Sequence, residues 1–452
     1  MKKEKTKFVC SSCGYESIRW LGKCPECEAW NSFTEERVEK PEVAVRKGYS
    51  GDLNMGKLGA IELTKVSRFS SGIGELDRTL GGGFVPGSVI LLGGEPGIGK
   101  STILLQALEA LRKPSLYVTG EESLQQIKLR AERLGVKSEL ITILAETDTS
   151  KILAAIERTE PQLFVIDSIQ TVNNPELMSS PGTVTQIRES AYAFIENAKK
   201  MNRTAVIIGH VTKEGSLAGP KILEHIVDTV LQFEGDGSNL FRIIRAVKNR
   251  FGSANEIGVF EMQGSGLKEV LNPSGVFLNE ENRVNSGSCV TAVFEGTRAI
   301  LTEVQALVVP SYFGNPSRIT SGFDQRKLSI LLAVLEKRAR MNLSNKNVFI
   351  NVSGGIRIDE PASDLPICLS VVSSIREKPL PVGTIVIGEV GLGGEIRGVP
   401  QILARLKEAE KLGFTTAIIP KGNGKEIKGK TGMKLTFVSS IEEAVNTAKA
   451  YI

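Results

Sequence analysis

Gly94-Glu95-Pro96-Gly97-Ile98-Gly99-Lys100-Ser101-Thr102 follows the apolar run Ser88-Val-Ile-Leu-Leu-Gly93 and precedes Ile103-Leu-Leu-Gln-Ala-Leu108. A strand, a loop of the form GxxxxGK[ST] and an apolar helix, in that order, make a phosphate cradle. The glycines let backbone N–H groups face the phosphates, and the helix N-terminus adds positive potential. Lys100 is expected to reach the β- and γ-phosphates of ATP, and the Ser101 hydroxyl to ligate Mg2+. A glycine turn that merely caps a helix is the plain alternative, and the strand–loop–helix setting disfavours it.

The acids that such a loop needs follow in order. Leu163-Phe-Val-Ile-Asp167-Ser168 is an apolar run ending in a carboxylate, the Walker-B pattern for holding magnesium and its water. An acid that ends a strand for structural reasons is the weaker reading. Between the two lies Leu116-Tyr-Val-Thr-Gly120-Glu121-Glu122, another strand ending in acids. Glu121 is expected to orient the hydrolytic water. Glu122 is either the alternative for that role or the residue that begins the next helix and stabilises its N-terminus. A third run, Thr204-Ala-Val-Ile-Ile-Gly209, ends at His210, which either senses the γ-phosphate or simply hydrogen-bonds the sheet end. The following stretch, 213–221, holds two glycines and a proline and is a candidate DNA-binding loop.

Strands are predicted at Ser88–Gly93, Ser115–Thr119, Leu163–Ile166, Thr204–Gly209, Thr229–Phe233 and Leu240–Val247. Alternating with helical patterns, they describe a parallel α/β sheet over residues 61–270. Residues 36–60 are polar and read as a linker. Residues 271–452 form a further α+β domain, opened by the turn-rich stretch 271–288.

Residues 1–35 carry Cys10-Ser-Ser-Cys13 and Cys24-Pro-Glu-Cys27, two CxxC knuckles with ten residues between them. Four thiolates in this arrangement suit a tetrahedral Zn2+ site. A disulfide pair or a redox CxxC is disfavoured in a chain with no export signal. Whether the finger touches DNA or another protein stays open. Cys289 and Cys368 stand alone and read as core residues.

The composition is that of a globular protein, with 41% hydrophobic and 24% charged residues. A net charge of +5 is too mild to decide nucleic-acid binding. No apolar run approaches the roughly 20 residues that span a bilayer, so a cytoplasmic protein without a membrane partner is expected.

The strand-borne Glu121 between the phosphate loop and Asp167 resembles the RecA/DnaB core rather than a GTPase or a kinase. Lys248-Asn249-Arg250-Phe251-Gly252, the cysteine knuckles and Ser311-Tyr-Phe-Gly-Asn-Pro-Ser-Arg318 extend the likeness over essentially the whole chain. Together they resemble the bacterial RadA (Sms) family of DNA-repair proteins, distinct from the archaeal recombinase of the same name. The resemblance implies a hexameric ring ATPase that moves on single-stranded and branched DNA. It also implies a role in homologous recombination, promoting branch migration alongside the RecA recombinase. In that family the K-N-R-F-G segment is needed for function. Read from the residues, two cations on one short turn suit a neighbouring subunit's γ-phosphate or a DNA phosphate. A solvated basic turn is the plain alternative.

From residue 289 onward the chain resembles the proteolytic domain of Lon. Arg357-Ile-Asp359-Glu-Pro361-Ala362-Ser363-Asp364-Leu365 and the glycine-rich, hairpin-like run Gly388-Glu389-Val-Gly-Leu-Gly-Gly-Glu395-Ile-Arg397-Gly398 carry that likeness, with a helix predicted over Val399–Leu412. Lon needs a serine nucleophile and a lysine base. Laid on that pattern, the nucleophile falls on Ala362 and the lysine near Leu403, with Lys407 a turn too late. Ser363 is one residue displaced, which turns its side chain away from a base. Peptidase activity is therefore not expected. An ATP-dependent protease and an ATP-switched DNA-binding scaffold remain the rivals to a DNA motor. Lys421-Gly-Asn-Gly-Lys425-Glu-Ile-Lys428-Gly-Lys430 is either a phosphate-backbone contact or a solvated loop.

Overall fold

The computed structural model describes residues 6–10, 15–26, 28–37, 67–210, 222–235, 240–278, 285–312, 315–355 and 357–451. The candidate loop at 213–221 and the linker at 36–60, beyond Arg37, lie outside them. The chain divides into two compact units, Met1–Gly235 with Arg242–Glu269, and Asp236–Phe241 with Val270–Ile452. Among the described residues no helix is long and apolar enough to cross a membrane.

The first unit opens with a small antiparallel sheet of β1 (Thr6–Cys10), β2 (Glu16–Ser17) and β3 (Phe33–Arg37). The larger part runs α1 (Gly74–Thr79), β4 (Val89–Gly94), α2 (Lys100–Leu111), β5 (Ser115–Thr119), α3 (Leu124–Arg133), β6 (Ile141–Ala145), α4 (Thr149–Thr159) and β7 (Leu163–Asp167). It continues through α5 (Val184–Lys200), β8 (Thr204–His210), α6 (Ile222–Ile226), β9 (Thr229–Gly235), β10 (Phe241–Asn249), β11 (Ile257–Gln263) and β12 (Gly266–Glu269). The nine strands lie in the order β12-β11-β10-β9-β4-β8-β7-β5-β6. From β9 to β6 every pairing is parallel.

Parallel strands need both faces covered, which is why β4, β5, β7 and β8 read as near-continuous apolar runs. Successive side chains point to opposite faces. Ile90 and Leu92 of β4 join a core with Ile103, Leu104 and Ile127 of α2 and α3. Val89 and Leu91 join another with Ile152, Ile156 and Phe194 of α4 and α5. Every central strand therefore ends at one rim of a doubly covered sheet.

One sequence boundary needs correcting. The strand expected to stop at Val247 continues to Asn249. A bulge between Ala246 and Lys248 keeps β10 paired with β9 as far as Thr229. Lys248 and Asn249 therefore belong to the strand, and only Arg250 onward forms the turn.

The second unit holds α7 (Pro273–Phe277), β13 (Ser288–Glu295), β14 (Arg298–Pro310), β15 (Arg318–Ser321), α8 (Gln325–Arg338), β16 (Lys346–Val352) and α9 (Asp364–Arg376). It continues with β17 (Thr384–Val386), β18 (Glu389–Val390), β19 (Ile396–Arg397), α10 (Ile402–Lys411), β20 (Thr416–Pro420), α11 (Gly424–Ile427), β21 (Lys434–Val438) and α12 (Ile441–Tyr451). Seven strands make a mixed sheet in the order β15-β16-β14-β13-β17-β20-β21, and β18 and β19 form the expected glycine-rich hairpin. The first ten residues of α9, Asp364 to Ser373, are all buried; most are apolar, Asp364 pairs with Lys327, and Ser370 and Ser373 donate to backbone carbonyls. The turn-rich stretch contains α7, and the helix expected from Val399 starts at Ile402, after a left-handed Gln401.

Candidate nucleotide-binding site

The carboxyl ends of β4, β5, β7 and β8 share one rim, the place where ligands bind in open α/β sheets. The glycine-rich loop leaves β4 there. Gly99 has φ +120°, and a Cβ on it would sit 3.2 Å from Met262 and 3.3 Å from Leu267, so only glycine fits. Gly97, at φ +77°, keeps the loop backbone in the left-handed region. Arg242 of β10 donates from Nε to the Ile98 carbonyl at 3.1 Å, bracing the loop from the neighbouring strand. Pro96, Gly97, Gly99, Lys100, Ser101 and Thr102 line a cavity of about 280 Å³, with Glu121, Asp167 and His210 across from them.

Lys100 opens α2 and is buried. Its Nζ donates to the Gly94 and Glu95 carbonyls at 2.7 and 2.9 Å and lies 3.4 Å from His210 Nδ1. Burial lowers its pKa from the ordinary value, and the nearby Asp167, Glu121 and Glu95 oppose that shift. Ser101 Oγ donates to Asp167 Oδ2 at 2.6 Å. Hydroxyl and carboxylate thus stand together, as a shared magnesium site needs, and hard oxygen donors suit that ion.

Glu121 stands just past β5. A Cβ on the preceding Gly120 would fall 2.0 Å from Thr171 Oγ1, so the chain passes this point only as glycine. Glu121 Oε1 accepts from Ser168 Oγ at 2.8 Å and lies 3.2 Å from His210 Nε2. His210 thus stands between Lys100 on its Nδ1 side and Glu121 on its Nε2 side. Burial would raise the Glu121 pKa, but the hydrogen bonds from Ser168 and His210 outweigh it and hold the carboxyl below its usual range. Glu122 also lines the cavity, where it pairs with Arg130. The helix cap, its other reading, belongs to Ser123, whose side chain and Gln126 form a reciprocal capping box. Sequence reading passed over Ser168 and Tyr117, whose hydroxyl also reaches Asp167. Only strand register brings them to the rim.

Lys248, Asn249, Arg250, Phe251 and Gly252 are not at this rim. Gly94 is level with Phe233 and Ile90 with Thr229, and Thr229 opposes Asn249. Asn249 therefore lies some four residues back along the strand direction, about 13 Å behind the level of the phosphate loop and two strands to the side. Lys248 Nζ donates to the carbonyls of Glu224, His225 and Val227 at 2.7, 3.1 and 2.8 Å, capping the C-terminus of α6. Burial, then Arg250, pushes its pKa down. Arg250 pairs with Asp228 at 3.2 Å and keeps 52% of its side chain exposed. Asn249 Oδ1 accepts from the Phe251 amide at 3.0 Å, and Gly252 packs against Gly81. The expected pair of cations on one turn is thus one braced lysine and one outward arginine.

DNA-repair proteins named RadA match this chain along its whole length. The Bacillus subtilis (strain 168) protein is 48% identical over 455 residues, covering 99% of both chains. The Escherichia coli (strain K12) protein is 46% identical over 454 residues, 98% of each. The chain belongs to the RadA family. Family models agree by segment: a rubredoxin metal-binding domain over 8–35, the KaiC ATPase over 69–143 and the ChlI subunit of Mg-chelatase over 324–423. Among solved structures it aligns with the RadB recombinase at TM-score 0.38 and 23% identity, over 45% of this chain and 99% of that one. So partial a fit adds nothing to the assignment. This RadA-family chain is an ATPase with an N-terminal zinc ribbon, a RecA-type core and a Lon-like C-terminal domain.

In the RadA-family ribbon, Cys10 and Cys24 are buried in one cluster with Phe33. Cys13 and Cys27 lie outside the described residues. The leading cysteines of both knuckles thus converge, and the donor set fits Zn2+. Replacing Cys24 and Cys27 by serine is expected to release about one zinc per chain, because two remaining thiolates cannot hold a structural tetrahedral site. Metal analysis of the purified protein checks this. Trp20 and Trp30, the chain's two tryptophans, are both in the ribbon, so a fluorescence change should accompany the loss.

In the Lon-like unit of this family member, Ala362 is buried at the nucleophile position. Ser363 is fully buried, and its hydroxyl donates to the Glu360 carbonyl at 2.6 Å. On α10 Leu403 is half-buried and Lys407 exposed, while the buried Arg405 guanidinium pairs with Glu360 at 2.7 and 2.6 Å. Cys289 and Cys368 are core residues, as expected, and burial pushes both thiols up in pKa. The Lys421–Lys430 stretch contains the short α11. It is anchored by buried Asn423 and Ile427, and its lysines are exposed.

Proposed function

We propose that this chain is a DNA-dependent ATPase and branched-DNA motor, working in the cytoplasm as a hexameric ring. In this reading it promotes branch migration of recombination intermediates together with the RecA recombinase. One observation carries the ring reading. The phosphate loop, Asp167 and Glu121 form one half of a hydrolytic site, while the exposed Arg250 stands at the opposite end of the sheet, out of reach of its own loop. A neighbouring subunit is the natural owner of the nucleotide that Arg250 would meet. Lys100 would hold the β- and γ-phosphates of ATP, Ser101 and Asp167 would hold Mg2+, and Glu121 would orient the attacking water. Mg2+ would neutralise charge developing on the phosphate oxygens.

Lys248 and Arg250 are the candidates for the contact across the interface, and they are not equally free. Lys248 would have to give up three carbonyls. Arg250 would loosen one ion pair, to a buried Asp228 that still accepts from the Val89 amide and keeps Lys199 at 4.0 Å. Arg250 is the readier of the two.

Arg250→Ala is therefore expected to cut ATP turnover far more than DNA affinity, and to poison mixed rings in proportion to its share. A DNA-phosphate role would instead lower affinity and flatten its salt dependence by about one phosphate. Turnover measured with and without branched DNA, on wild type and variant, distinguishes these. Wild-type turnover in the variant under both conditions would sink both. A protease finds no support at Ala362 and Ser363, and a peptide-cleavage assay is expected to stay blank. A switch without turnover has no use for the hydrogen-bonded Glu121.

A further inference from the structure

We propose that Tyr117 is a positioning residue for the magnesium carboxylate. Its hydroxyl, with that of Ser101, commits one oxygen of Asp167 to the protein and leaves the other for the metal and its water. This inference rests on the reading of Asp167 as the magnesium-holding acid.

Tyr117 is the middle residue of β5 and is fully buried. Its neighbours Leu116 and Val118 point into the core on the α4 and α5 side of the sheet, while the Tyr117 ring packs on the other side with Ile103 and Ile127. In the pairing of β5 with β7, Thr119 is level with Asp167 and Tyr117 with Val165. The hydroxyl therefore has to travel two residues along the strand, about 6.5–7 Å. Among strand-forming side chains tyrosine alone has that length with a donor at its end. It meets Asp167 Oδ2, the same oxygen that accepts from Ser101. Two donors fill the lone pairs of that oxygen. Among the described residues Oδ1 accepts no hydrogen bond.

The two donors do different work. Ser101 lines the cavity and would share its oxygen with the metal. Tyr117 is closed into the core, so its bond to Asp167 holds with or without metal. A carboxylate turns easily about its terminal torsion, and a second fixed donor stops that rotation before the ion arrives. A tyrosine that served only as a core ring would do the same work as phenylalanine.

Tyr117→Phe keeps the ring and removes the hydroxyl, so the fold should survive, as a thermal unfolding curve will report. The Mg2+ concentration for half-maximal turnover is expected to rise roughly fivefold, equivalent to about 1 kcal/mol. A second readout is free of turnover: binding of a fluorescent ATP analogue, titrated with and without Mg2+. Affinity without metal should be unchanged, and the increment that Mg2+ adds should shrink by a similar factor. An unchanged magnesium dependence in both assays overturns the inference and leaves a core ring. Asp167→Asn run in parallel separates the two claims. If it shifts magnesium dependence while Tyr117→Phe does not, only the positioning role fails. If neither shifts it, the magnesium reading of Asp167 fails with it.

Discussion

Lys100→Ala should lose ATP hydrolysis by roughly two to three orders of magnitude, the scale of removing one preorganised electrostatic contact, and should also bind nucleotide more weakly. Among the described residues the ammonium is the one cation within hydrogen-bonding distance of both the loop carbonyls and His210. On the proposed reading its loss removes a phosphate contact, together with the partner at His210 Nδ1. The fold should be spared. Alanine is a good helix former at the start of α2. The Gly94 and Glu95 carbonyls lose a donor, each at about 1 kcal/mol, but a buried charge is removed as well. A turnover assay beside a thermal unfolding curve checks both parts. Normal turnover in a folded variant would remove the nucleotide site.

Glu121→Gln should leave nucleotide binding intact while turnover falls about 10²–10⁴-fold, the range for losing a general base. The amide oxygen still accepts from Ser168 and His210, so the local structure has no reason to move. The split between retained affinity and lost turnover separates Glu121 from Lys100, whose loss affects both. The wild-type pH profile carries a related sign. Because hydrogen bonds hold the Glu121 pKa below its ordinary value, the ionised base persists above that range. Its contribution should be lost only on acidification through the lowered value. A profile that already fell between neutral pH and the ordinary glutamate range would speak against Glu121 as the base.

Much of this site was legible in the order of residues. A phosphate loop is local. Its glycines, lysine and serine are consecutive, so the strand–loop–helix around Gly94 to Thr102 could be read without knowing what packs on it. The acids were legible for a related reason. Parallel strands covered on both faces must be apolar, so Glu121 and Asp167 stand out at the ends of such runs. The cysteine knuckles were readable by spacing, because a tetrahedral site sets how far apart its ligands can fall.

Strand register and side-chain direction were decided by the tertiary structure. Nothing local in Leu116-Tyr117-Val118 says that the tyrosine hydroxyl ends on Asp167, fifty residues away; that follows from β5 lying beside β7. The partners of Glu121 come likewise from β8 and from the residue after β7. The K-N-R-F-G segment was visible as a motif, but not the bulge just ahead of it, which no composition signals. That bulge kept Lys248 in the strand, against the carbonyls of α6, and left Arg250 outside. By itself the sequence determined which chemistries this chain carries and where along it they lie. Which side chains meet, and at which end of the sheet each cation stands, was decided by pairings between distant strands, whose free energy is shared over many residues and written in no single one of them.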